Sequence, residues 1–285
     1  MAWRLLSASV PASLDDEIAS VLGTGSLGVE IVPSGAGVSL LRVYLGQGDD
    51  PQAWHLRAAR ILEAHGLPTD GVSLTIDDVS DGRWVETWQR ALAPIPLGTR
   101  FVVLPHEGLV GEAGRDPIRL VPGMAFGTGE HPTTRMCAAA LESRVRPGSR
   151  WLDLGCGTGL LAIVAARCGA ARVDALDLDP EAAHVASEVV AVNGLAGRIA
   201  VGAGSLEEAA GPFDGIVANI QASFFLARAQ DLADALAPGG TLAISGFVVD
   251  DVPEIEGALT EARLTTVERQ AVDPWACVVA RCSEP

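Results

Sequence analysis

At 285 residues the chain has room for about two domains. Its 48% apolar share includes neither the ~18 uninterrupted apolar residues of a membrane span nor a signal-peptide core in the opening MAWRLLSASVPASLDDE, so a soluble, cytoplasmic protein is expected. Asp and Glu number 36 against 20 bases, a net charge of −16, and every base is arginine, which excludes chemistry that needs a P-loop or Schiff-base lysine and disfavours direct binding to nucleic acid through its phosphates.

In chain order, Trp3 to Val10 reads as a strand, and Ser13-Leu14-Asp15-Asp16 opens a helix with an N-cap and early acids that stops at Gly23. Leu27 to Val32 and Val38 to Leu45 read as strands joined by a turn with Pro33, Gly35 and Gly37. Asp50-Pro51 starts a helix running to about His65, and Val72 to Ile76 alternates like a fourth strand. The order βαββαβ predicts a ferredoxin-like α+β domain over 1–80, assigned to recognition. Residues 81–122 read as a linker; Trp84 and Trp88 share one helix face there and are expected to pack in the core or between domains.

From Arg150 onward, short apolar runs alternate with helical segments. Strands are predicted at Arg150–Leu154, Arg172–Asp177, Ile199–Val201, Gly215–Ala218 and Thr241–Ser245, with helices at Leu160–Cys168, Pro180–Val192 and Ala222–Leu236. Such alternation predicts a parallel sheet with helices on both faces. Leu264 to Val272 and Trp275 to Arg281, with only Asp273-Pro274 between them, predict a closing hairpin that adds one antiparallel strand. The fold class is therefore α/β, a Rossmann-like domain over 123–285 behind the N-terminal one. The five cysteines show no CxxC spacing, so neither a disulfide framework nor a metal site is indicated.

Four segments carry candidate chemistry. Asp153-Leu154-Gly155-Cys156-Gly157-Thr158-Gly159 follows an apolar strand, and its three glycines let backbone approach a ligand at a helix N-terminus. Leu160 occupies the place of the third glycine in G-x-G-x-x-G, which argues against a dinucleotide. Asp177 ends the next strand 22 residues after Gly155, the place of an acid that binds ribose hydroxyls, whereas Asp179 is read as a helix cap. Phe213 to Ile220 delivers Asn219 to the carboxyl edge of the sheet, where its amide could hold an amine; a turn asparagine is the alternative. Upstream, Pro122 to Thr134 forms a glycine-rich loop ahead of a helix that Pro132 starts and that continues to about Leu141. His131 in that loop has no carboxylate or nucleophile partner within the motif, so it is read as structural or substrate-positioning.

The Asp-x-Gly-x-Gly-x-Gly turn, the acid ending the second strand and the polar residue ending the fourth resemble class I S-adenosylmethionine-dependent methyltransferases. The run Ala125-Phe126-Gly127-Thr128-Gly129-Glu130-His131-Pro132-Thr133-Thr134 together with Asn219-Ile220 resembles, more narrowly, the ribosomal protein L11 methyltransferase family (PrmA type), nearly end to end. That resemblance implies S-adenosyl-L-methionine as cofactor, with Thr134, Gly155, Asp177 and Asn219 as binding positions. Gly157 and a closing loop at Phe126 join them as expected cofactor contacts, and Asn219 is the catalytic candidate, orienting an amine lone pair without a dedicated general base. It further implies methylation of lysine and N-terminal amines of a basic ribosomal protein of the large subunit. The chain departs from the family pattern at Glu130, Val121 and Gln221, positions that bear on substrate geometry. Three alternatives remain: a methyltransferase of another protein lysine (electron-transfer-flavoprotein type), a catalytically silent cofactor-binding protein, and a nicotinamide oxidoreductase, which the lack of a Tyr-x-x-x-Lys pair disfavours.

Overall fold

The computed structural model describes residues 3–15, 18–19, 22, 26, 28–35, 37–45, 50–64, 66, 75–79, 93–105, 109–120 and 129–283. The chain divides into two compact units, Met1–Ala91 and Leu92–Pro285. In the first, strands β1 (Trp3–Pro11), β2 (Gly28–Gly35), β3 (Val38–Leu45) and β4 (Thr75–Val79) form one sheet in the order β2-β3-β1-β4. All three strand pairings are antiparallel, which is the ferredoxin-like arrangement of a βαββαβ chain. Alternation sets the buried face: Leu6, Ala8 and Val10 lie opposite Val43, Leu41 and Ser39, and their side chains are covered by Ile18 and Leu22, both helical, and by Trp54 of helix α1 (Pro51–Ala64). The predicted fourth strand, Val72 to Ile76, lies further along, at Thr75–Val79.

The second unit begins earlier than the glycine-rich loop. Three short strands, β5 (Ile95–Leu97), β6 (Phe101–Leu104) and β7 (Asp116–Arg119), make a sheet of their own. Their Ile95, Leu97, Phe101, Val103 and Ile118 are buried in the same core as Met136, Leu141 and Trp151. Polar ties hold this sheet in place. The Glu142 carboxylate accepts from the backbone N–H groups of Thr99 (2.9 Å) and Arg100 (2.9 Å) at the β5–β6 turn. Asn193 answers β7 as a strand would, accepting from Arg119 N–H at 3.1 Å and donating to its carbonyl at 2.7 Å. Residues 93–120, part of the linker in the sequence reading, are thus built into the second unit. Trp84 and Trp88 lie outside the described residues.

The main sheet has seven strands in the order β10-β9-β8-β11-β12-β14-β13. Its strands are β8 (Arg150–Leu154), β9 (Arg172–Asp177), β10 (Ile199–Ala203), β11 (Phe213–Asn219), β12 (Leu236–Val248), β13 (Leu264–Val272) and β14 (Trp275–Cys282). The first five pair in parallel; β14 alone runs against both of its neighbours. Helices α2 (Pro132–Arg144), α3 (Leu160–Cys168) and α4 (Pro180–Val192) cover the face that holds Trp151, Val173 and Val217, while α5 (Ala222–Ala235) and α6 (Val252–Glu261) cover the face that holds Leu152, Ile216 and Leu242. Burial on both faces explains the unbroken apolar runs of β11 and β14. The sequence reading omits α6, whose apolar stripe reduces to Ile255 and Leu259 on the buried side. Chain order reverses between β8 and β11, and ligands of open α/β sheets bind at the carboxyl ends of strands beside such a reversal.

Candidate functional site

Beyond β8 the backbone turns through Gly155, Gly157 and Gly159, all in the left-handed region at φ of +69°, +52° and +75°. The turn is tied to β9 by N–H groups of Gly155 and Cys156, both donating to the Leu176 carbonyl at 2.8 and 3.0 Å. Gly155 also has no room for a side chain: a Cβ there would lie 2.5 Å from Cγ2 of Ile220. Both requirements, positive φ and close approach, make glycine the residue for this corner.

Asp177, the last residue of β9, closes over the turn. Its Oδ2 accepts from Gly157 N–H at 2.8 Å and its Oδ1 from Asp179 N–H at 3.0 Å. A carboxylate offers about four acceptor directions, so two remain for hydroxyl donors. Asp179 caps α4 by accepting from Glu181 N–H at 2.9 Å, as its position predicts.

Across the chain reversal, Asn219 ends β11 and Thr134 sits in the first turn of α2, 85 residues apart in sequence. The Asn219 amide Nδ2 donates to Thr134 Oγ1 at 3.3 Å. Thr134 is buried and Asn219 half-buried, so the bond fixes the amide and leaves its Oδ1 as an acceptor at the sheet edge. The adjoining Ile220 N–H is held by the Ser245 carbonyl at 3.0 Å, and Gly246 lies against the Ile220 backbone. His131 is the N-cap of α2: its Nδ1 accepts from Thr133 N–H at 3.4 Å, and its ring meets Trp275 edge-on at 4.7 Å. That is a positioning role for the helix that carries Thr134.

Asp153, which the sequence shows only as the head of the glycine motif, proves to be the most unusual ionisable group of the site. It faces the α3 side of the sheet and is 1% exposed. Its Oδ2 accepts from Ala162 N–H at 2.8 Å, while Oδ1 has no hydrogen-bond partner among the described residues. Burial lifts its carboxyl to about 7, opposed by the Ala162 amide and aided by the charge of Asp177. The Cys156 thiol in the turn is also pushed up by burial, which leaves it protonated and unreactive.

Thus Thr134, Gly155, Gly157, Asp177 and Asn219 converge on one edge, and Phe126 lies outside the described residues, as does the rest of 121–128. Among the described residues no three His, Cys, Asp or Glu side chains are grouped to hold a metal ion. The edge fits S-adenosylmethionine in kind: a bare-backbone corner, a carboxylate with hydroxyl-accepting capacity, and no arginine among the described residues paired to that carboxylate.

Comparison with known proteins identifies the family. Residues 41–283 match the family described as ribosomal protein L11 methyltransferase (PrmA). A protein of that name from Pelotomaculum thermopropionicum is 39% identical over 247 residues, covering 86% of this chain and 80% of the relative. One from Bacillus cytotoxicus is 36% identical over 248 residues, covering 85% and 80%. The crystal structure of a ribosomal protein L11 methylase from Lactobacillus delbrueckii subsp. bulgaricus superposes with a TM-score of 0.59 at 29% identity, covering 67% of this chain and 98% of that one.

Proposed function

The chain belongs to the ribosomal protein L11 methyltransferase family, and from that premise we propose that it transfers methyl groups from S-adenosylmethionine to amine nitrogens of ribosomal protein L11. The observation that carries the reading is the convergence of Asp177, the Gly155–Gly159 turn and the Thr134–Asn219 pair on the edge where β8 and β11 diverge.

When bound, S-adenosylmethionine supplies an electrophilic methyl group on a sulfonium. The chain's own residues hold and aim. The Asp177 carboxylate accepts from ribose hydroxyls, and the glycine turn admits the nucleoside against bare backbone. Asn219, braced by Thr134, presents Oδ1 to the N–H of an incoming amine and so directs the nitrogen lone pair toward the donor. Alignment of this kind supplies roughly 7–11 kcal/mol in well-oriented reactions. Among the described residues no side chain at the edge is placed as a general base, so the amine arrives deprotonated; an α-amine with a pKa of about 8 meets that condition more readily than a lysine at about 10.4. The net charge of −16 supports a basic protein substrate, and the N-terminal ferredoxin-like unit is the proposed recognition module for it.

Incubating the enzyme with L11 and isotopically labelled donor, then mapping label by mass spectrometry, tests the function; an unlabelled L11 refutes it. In the same assay Asn219→Ala is expected to lower turnover by about 10²-fold, the scale of a misaligned nucleophile, with donor affinity changed far less. Full turnover in that variant refutes the orienting role.

A further inference from the structure

Asp153 is a buried carboxyl with one oxygen satisfied and the other facing no donor among the described residues, directly beneath the glycine turn. Among the described residues its surroundings hold no compensating cation. From β9 it meets Asp177, from the turn the Cys156 thiol, and from α2 the Cys137 thiol, whose own titration is raised in part by Asp153. From α3 it meets only the Ala162 amide, since Arg167 at the far end of that helix donates to the Pro117 carbonyl and to Asn193. Asn219 at the near end of β11 is uncharged, and Asp214 at its far end accepts from Arg150 N–H. The Arg150–Asp174 pair likewise lies at the opposite end of the sheet.

A carboxyl so placed is expensive to ionise until positive charge arrives. We infer that Asp153 is a proton-linked residue of the cofactor site: it is a neutral acid while the site is empty and releases its proton to solvent when a cationic ammonium–sulfonium ligand settles at the glycine turn. This rests on the proposed function above. The step is a single acid dissociation: the Asp153 O–H bond breaks, the proton passes to buffer, and the carboxylate remains as a counter-charge to the ligand. The helix N-terminus above it, which already donates Ala162 N–H, holds the charged form in place. Asp153 therefore acts as an electrostatic positioning residue, selecting charged sulfonium ligand over neutral nucleoside.

Calorimetric titration in buffers of differing ionisation enthalpy reads the linked proton directly. At pH 6, where the ligand's α-amine with its pKa of about 8 stays charged, S-adenosylmethionine is expected to release close to one proton per site, and adenosine none. Apparent affinity for S-adenosylmethionine should rise by up to about tenfold per pH unit below neutrality and level off above it. Asp153→Asn should abolish both effects, and the wild-type contrast between the two ligands stands even if that variant folds poorly. Tight binding without proton release at pH 6, or equal release with adenosine, overturns the inference. Release that persists in a folded Asp153→Asn protein assigns the proton to the ligand and overturns it too. Failure of both ligands to bind at any pH instead overturns the proposed function, and the inference falls with it.

Discussion

Asp153 makes a prediction about the empty protein that is independent of any ligand. In the unfolded chain an aspartate titrates near 3.9; in the fold this one titrates at about 7. The native state therefore keeps a proton that the unfolded state has lost, and stability declines as pH climbs from about 4 to about 7, then stays level. Three pH units at 1.36 kcal/mol each give a total of ~4 kcal/mol, of which ~3 kcal/mol falls above pH 5. Asp153→Asn keeps an acceptor for Ala162 N–H but has nothing to ionise. Its amide NH₂ occupies the place of the unpartnered oxygen, a penalty of about 1–3 kcal/mol that is the same at every pH. Comparing wild type and variant by urea unfolding at pH 5 and at pH 8 cancels that penalty and the titration of every group not coupled to Asp153. The variant should gain ~3 kcal/mol on wild type between the two pH values. If the two proteins run parallel from pH 5 to 8, Asp153 is not a buried acid of raised pKa, and the argument above fails.

Two further perturbations probe the corner and the carboxylate. Gly155→Ala places a methyl group 2.5 Å from Ile220 in a left-handed backbone position, which should destabilise by about 2 kcal/mol and shift Ile220 together with the neighbouring Asn219. Adding Ile220→Ala should restore part of the melting temperature lost to Gly155→Ala, and the absence of any recovery counts against the collision as the cause. Asp177→Asn exchanges an acceptor for a donor that faces either Gly157 N–H or Asp179 N–H and weakens the bonds to ribose hydroxyls. S-adenosylmethionine Kd should rise ~10–100-fold by calorimetry, from the 1.5–3 kcal/mol of charge-assisted bonds; an unchanged Kd removes Asp177 from the ribose site.

Much of the second unit was legible because each element carried a local signal matched to its period. Arg172–Asp177, Pro180–Val192 and Leu264–Val272 fall at the boundaries that alternation, caps and turn residues predict. The positions of the candidate site residues at the sheet edge were legible for a related reason: glycines with positive φ, an acid at a strand's end and an asparagine at another's mark places where the backbone, not a distant partner, sets the residue type. Helix α6 is the counter-example. Only Ile255 and Leu259 of its ten residues are buried, so its stripe is too narrow to stand out from a polar loop.

What stayed hidden depended on partners far away in the chain. The short strands of residues 93–120 have no alternation long enough to read, and they exist because Glu142 on α2 and Asn193 beyond α4 satisfy their backbone groups from 43 and 74 residues away. Asp153 is hidden more deeply still. In sequence it is one letter of a glycine motif, and nothing local distinguishes it from a solvated acid; its burial follows from the sheet, which turns the face of Trp151 and Asp153 under α3, while Leu152 and Leu154 turn the other way. An acid forced beneath a helix start by strand parity is held at one oxygen and buried without a hydrogen-bond partner among the described residues at the other. That geometry joins the fold to the chemistry: the alternation that builds the core also sets an ionisable group beneath the glycine turn proposed to receive the cofactor.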